Sequence, residues 1–177
     1  MEPNVNPWKA NLTNGLILGF IGIVYTLIMY FLNLSFNQLQ GWAFILIQIV
    51  VLFFLVKSYR DNYKHGYINF GQALGAGVII SLYSAILMAV FTYILYTVID
   101  TGLLEKQLAF TEEQMLKRGM TQAQVDAGMA FNAKIMKPAI MAPLSIFGSM
   151  LGGVIMSLIV AIFVRKEGNP LIDMSDK

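Results

Sequence analysis

The residues best suited to chemistry in this 177-residue chain lie between 59 and 77, in the stretch YRDNYKHGYINFGQALGAG. Arg60 and Lys64 beside a run of glycines are the materials of a phosphate cradle, where backbone N–H groups and a cation share an anion's charge. The spacing argues against it. A P-loop needs Gly-Lys-Ser/Thr, and a dinucleotide fold needs G-x-G-x-x-G between a strand and a helix. Here the glycines run Gly71-x-x-x-Gly75-x-Gly77 with no strand ahead of them. A helix start fits better: Asn69 as N-cap, with Gln72 reaching back to the cap's own N–H. Lys57, Arg60 and Lys64 then become candidate contacts for anionic lipid headgroups rather than for a bound nucleotide.

Other chemistry is thinly supplied. His65 is the only histidine, and a single loop histidine is ordinarily solvated rather than catalytic. With no cysteine, the chain has no disulfide, thiolate metal site or cysteine nucleophile, and one histidine cannot build a histidine metal cluster. The apolar segments hold no ionisable side chain that would mark a proton pathway, and no Ser/His/Asp set or carboxylate pair. The expectation is a protein that is not an enzyme and uses no cofactor. A net charge of +2, scattered along the chain, gives no footprint for nucleic acid.

The elements that position these residues follow from composition. Hydrophobic residues make up 57% of the chain and charged residues 12%, about half the charged share of a soluble domain. No charge occurs in residues 10–56, 65–99 or 138–164. Since a crossing helix needs roughly 20 apolar residues, the first window holds two spans around the polar interruption NLSFNQLQGW at 33–42. Four spans are predicted, at 14–31, 39–59, 70–99 and 143–164, with Pro143 in the first turn of the last. The first is longer than the apolar region of a signal peptide and reads as a retained anchor.

Residues 100–137 carry ten charges that sum to zero and form the part outside the membrane. Leu104, Leu108, Thr111 and Met115 share one helix face, and Gly119 supplies a stop. Thr121 with Gln124 is a capping box for a second helix, whose Val125, Met129 and Met136 share a face, so a helical hairpin is expected. Its methionines suit packing better than binding. Lys9, Lys57, Arg60, Lys64, Arg165, Lys166 and Lys177 fall on one side of the spans and five cations on the other. Both termini are therefore expected on the cytoplasmic side.

Small residues suggest how the spans meet. GxxxG occurs as Gly15/Gly19, Gly71/Gly75 and Gly148/Gly152. Two ladders at four-residue steps extend the theme: Gly77, Ser81, Ala85 and Ala89 in the third span; Ser145, Ser149, Gly153, Ser157 and Ala161 in the fourth. Small side chains let backbones approach closely where lipid offers no hydrophobic drive. Packing within one chain is the plain reading; a homodimer seam is the other. The polar residues within spans, Tyr25, Thr26, Tyr30, Gln48, Gln72, Tyr83, Ser84, Thr92 and Thr97, serve as interhelical glue or line a substrate pocket.

The segments NPWKANLTNGLILGF, SYRDNYKHGYINFGQALGAG and EEQMLKRGMTQAQVD, with a last span ending in VRKE, resemble the domain of unknown function 4199 family of small bacterial membrane proteins. The resemblance covers residues 6–167. Its most specific part is Arg60, Gly66, Tyr67, Ile68, Phe70, Gly71, Ala73 and Gly77, with Gly77 one place later than the pattern. It implies four spans, a long third loop and the bacterial inner membrane, and brings no activity or site residue.

The expected fold is thus an all-α integral membrane four-helix bundle forming a single domain over 1–177. The expected role is a non-enzymatic accessory or envelope component acting through helix packing, with the lipid bilayer and a second copy or another membrane protein as partners. The alternative is a small-solute or lipid-handling membrane carrier. A continuous polar cavity would favour the carrier, and a dry, closed bundle the accessory component.

Overall fold

The structure, a computed structural model, describes residues 6–167; Lys177, counted above with the cytoplasmic cations, lies outside them. Among these residues the fold is all-helical without a strand. The helices are α1 (Pro7–Phe31), α2 (Gln38–Tyr63), α3 (Phe70–Ile94), α4 (Leu103–Lys117), α5 (Gln122–Ile135) and α6 (Pro138–Val164). A π-helical turn, Leu95–Ile99, continues α3. Four helices are long and apolar enough to cross a membrane: Pro7–Phe31, Leu39–Tyr63, Phe70–Ile99 and Pro138–Val164.

Local chemistry sets where these helices begin. α1 starts ahead of residue 14, at Pro7, because Asn6 accepts the Trp8 N–H at 3.0 Å and Pro7 has no N–H to leave unpaired. At α3, Asn69 Oδ1 accepts the Gln72 N–H at 2.9 Å, while Gln72 Oε1 accepts the Asn69 N–H at 3.3 Å. Thr121 and Gln124 make the same reciprocal cap on α5. α4 stops before Gly119, whose φ of +78° only glycine adopts freely. The expectation for α6 needs correction: Pro138, not Pro143, takes the first turn. Pro143 lies inside the helix, where its ring leaves the Ala139 carbonyl without its usual donor.

α3 is the central helix, and its interfaces with α6 and α1 are the most extensive in the molecule. Against antiparallel α6, glycine and serine alternate reciprocally. A Cβ added to Gly77 would lie 2.6 Å from Ser157 Oγ, and one added to Gly153 would lie 2.6 Å from Ser81 Cβ. Buried Ala73, Ala85 and Ala89 of α3 and Ala161 of α6 stand at four-residue steps along the same faces. Against α1, which runs parallel to α3, Gly15 lies on Tyr83 and Gly19 on Leu87, each so close that a Cβ would clash.

The remaining glycines of the expected ladders are not used in this way. Gly71 meets only Oδ1 of its own cap, Asn69, and Gly75, Gly148 and Gly152 have nothing within 4 Å of an added Cβ. Two residues turn a helix by about 200°, so Gly75 faces away from the seam that passes through Gly77.

The apolar core sits toward the end of the molecule that carries Arg60, here the basic end. Leu52, Val56, Ile80, Val160 and Val164 are each at most 1% exposed there. The opposite half, beneath α4, has buried Leu95 and Leu103 but also holds cavities.

Candidate functional site

At the basic end the sequence offered Lys57, Arg60 and Lys64. Arg60 is occupied: its Nη1 donates to the Val164 carbonyl at 3.1 Å and its Nε to Asp61 Oδ1 at 2.7 Å. The last carbonyls of a helix lack intrahelical donors, and Arg60 supplies one to α6 from the neighbouring α2. Beside it, Ile68 and Lys166 exchange two backbone hydrogen bonds of 2.8 and 2.9 Å. The Lys166 ammonium stands 5.2 Å from the centre of the Tyr67 ring, a cation–π distance. These contacts lock the loop between α2 and α3 onto the chain leaving α6. Lys57 is exposed and Lys64 half-buried. Of the three candidate headgroup contacts, Arg60 is therefore committed to holding two helices together.

The opposite end holds the cavities. Three adjoining lobes of about 370, 330 and 230 Å³ all have Ser35 and Phe36 in their walls. These residues belong to the turn between α1 and α2, and α4 lies across it as the outer wall. Phe110 of α4 stacks on Phe36 with ring centres 5.4 Å apart. Gln107 of α4 accepts a hydrogen bond from the Tyr96 hydroxyl, and the Tyr25 hydroxyl donates to the Gln40 carbonyl at 2.7 Å. The outermost lobe is more polar than the next, with Asn37, Gln40, Gln107, Gln114 and Arg118 beside Phe36 and Phe110 in its wall. The next lobe turns apolar as it descends between the helices, past Met29, Phe44, Met88 and Leu95.

α4 is fastened to this cleft by Asp100. Its Oδ2 accepts from the Tyr30 hydroxyl of α1 and from Lys106 Nζ of α4, each at 3.1 Å, while Oδ1 accepts the Gly102 N–H at 3.0 Å. The hydrogen bond from Lys106, followed by those from Tyr30 and Gly102, holds the Asp100 carboxyl below the usual carboxylate range against its partial loss of hydration. The π-helical turn just before Asp100 inserts an extra residue per turn at the end of α3, a departure common at functional sites.

A fourth cavity of about 160 Å³ lies deeper, bounded by α1, α2, α3 and α6. Phe44 and Met88 are in its wall and also in that of the apolar lobe above. Its polar lining comes from buried Gln48, Ser81 and Ser84 and from Ser149, which is exposed at its rim on α6. Gly22 of α1 leaves room for the Gln48 amide, whose Nε2 would be 3.3 Å from an added Cβ.

Of the polar residues read within the spans, Tyr25, Thr26 and Thr92 line the apolar lobe, Tyr30 the third lobe, and Gln48 and Ser84 the deep cavity. Gln72 caps a helix instead, and Thr97 bonds the Tyr93 carbonyl of its own helix. Sequence reasoning missed the contribution of Phe36, Asp100, Gln107 and Phe110. Glutamine and phenylalanine on the same face of 103–117 were the available signal, hidden by reading that helix only as a packing element.

Among the described residues no group of three His, Asp or Glu side chains is arranged to hold a metal ion. Comparison with curated proteins and with solved structures gives no match. Comparison with family models does, over residues 13–166, and by that match the chain belongs to the family described as protein of unknown function (DUF4199).

Proposed function

We propose that this is a non-enzymatic, lipid-handling protein of the bacterial inner membrane that takes one end of an amphipathic molecule into the cleft beneath α4. The four long helices form the membrane-embedded bundle, and α4 with α5 forms a helical hairpin outside it. The observation that carries this reading is the gradient along the cleft: Asn37, Gln114 and Arg118 at the mouth, Gln40 and Gln107 shared by both lobes, then Met29, Phe44, Met88 and Leu95 within. Ligand pockets are mostly apolar with a few placed polar groups, and this order matches a polar head followed by an apolar chain. A component that acted only through helix packing would gain nothing from open volume between its helices, since packed interiors leave few voids. The carrier class is accordingly preferred to the accessory class.

Orientation follows from the cations, with the basic end cytoplasmic and the cleft on the far side. Exposed Lys57 and half-buried Lys64 face anionic headgroups there. The bilayer is the partner this reading requires; a second copy is not needed to complete the cleft.

The absence of cysteine makes the test direct. In Met88→Cys, a thiol placed in the apolar neck is expected to react with N-ethylmaleimide in membrane vesicles and to be protected by a ten-carbon alcohol. A reaction rate unaffected by the alcohol would remove the cleft as a binding site.

A further inference from the structure

The deep cavity has a feature that the cleft reading does not use. Gln48 is 5% exposed and Ser84 7%, yet both line open space. Ser81 also borders the cavity, but its Oγ, like that of Ser157, is closed within the α3–α6 seam without a hydrogen-bond partner among the described residues, so Gln48 and Ser84 are the buried groups that face the space. Polar groups buried away from water are costly unless paired, and the cost is greatest where lipid surrounds the helices. A cavity of 160 Å³ offers the space of about five waters at roughly 30 Å³ each. None of its lining residues is ionisable.

We infer that the cavity is a second binding subsite, one that takes an uncharged hydrogen-bonding group such as a hydroxyl or primary amide. Two neutral side chains, Gln48 and Ser84, offer both donors and acceptors, which suits a group able to give and accept. A charge would find no counter-charge there and would keep its desolvation penalty. Gln40 of the cleft and Gln48 in the cavity lie on the same helix, about 12 Å apart at 1.5 Å per residue. Between them stand Phe44 and Met88, which belong to both compartments. The sequence of environments is polar, apolar, polar. The ligand class that fits has a polar group at each end of an apolar chain.

This inference rests on the cleft reading, and the experiment separates the two. In the Met88→Cys protein, protection from N-ethylmaleimide is titrated with a ten-carbon alcohol and with the matching ten-carbon diol. The diol is expected to protect at about fivefold lower concentration, the worth of one buried hydrogen bond. Adding Gln48→Leu should abolish that advantage while leaving protection by the alcohol intact, and Ser84→Ala, a smaller change, should reduce it. Equal protection by the two compounds in the parent protein would overturn the subsite, as a cavity that holds water alone, and leave the cleft standing. An advantage that survives both substitutions would also overturn it. Protection by neither compound would overturn cleft and subsite together.

Discussion

Asp100 joins three elements through one carboxylate: Tyr30 of α1, the turn that ends α3, and Lys106 of α4. Its folded pKa is depressed, so its contribution to stability is present above the ordinary carboxylate pKa and is lost as pH falls through the lower, folded value. At neutral pH, Asp100→Asn should lower the thermal unfolding midpoint by a few degrees. That gap should close as pH falls from the ordinary carboxylate pKa of about 4, where the unfolded chain takes up the proton, toward the lower folded value. A gap of constant size across the titration would show that the substitution acts through shape and not through charge. Residue-scale chemistry was legible in the sequence where it is local. The caps at Asn69 and Thr121 depend on a partner three positions away, which spacing reveals. Tyr30 with Asp100 and Arg60 with Val164 are 70 and 104 positions apart, and only the packing of helices brings them together.

At the level of helices, the α3–α6 seam is so close that it can be tested by moving single carbon atoms. Gly77→Ala would push a methyl into Ser157 and should destabilise by about 1–3 kcal/mol, the usual cost of overpacking. Combining it with Ser157→Gly should recover most of the loss, since the small residue is then supplied by the other helix. Gly75→Ala, with nothing within 4 Å, should be neutral or slightly stabilising, because alanine loses less backbone entropy than glycine. Thermal unfolding in one detergent reads all of these, and equal losses for Gly75→Ala and Gly77→Ala would refute the assigned face. The existence of four long apolar helices could be read from the charge-free windows alone. Which glycines face a neighbour could not, because Gly75 and Gly77 satisfy the same small-residue pattern and differ only in rotation. The start of α6 was misread for a related reason: both Pro138 and Pro143 suit a first turn, and the earlier one takes it.

For the molecule as a whole, the two ends differ in kind. The basic end is filled with apolar side chains and tied by Arg60 and by the Ile68–Lys166 pairing, whereas the α4 end holds the connected cavities. Single cysteines at Asn37, Lys64 and Gln122 should report the orientation. Impermeant maleimide added to intact cells is expected to modify the first and third and spare the second, and modification of Lys64→Cys would reverse the topology. The cavities were only partly foreseen. The polar residues of the spans were visible, but their convergence depends on α4 folding across the α1–α2 turn, which no spacing within either segment specifies.

The central position of α3 also orders the protein's synthesis. Its α1-facing side can be covered as soon as it emerges, because α1 precedes it. The Gly77 and Ser81 side must wait for α6, which ends at Val164, 65 residues after Ile99 in the numbering. At about 5–20 residues per second, the ribosome takes several seconds to supply that partner. During this interval the nascent chain carries a narrow groove of small side chains with no helix seated in it. A chain truncated within the α4–α5 region would keep that groove open for good, giving membrane proteases a lasting mark by which to remove it.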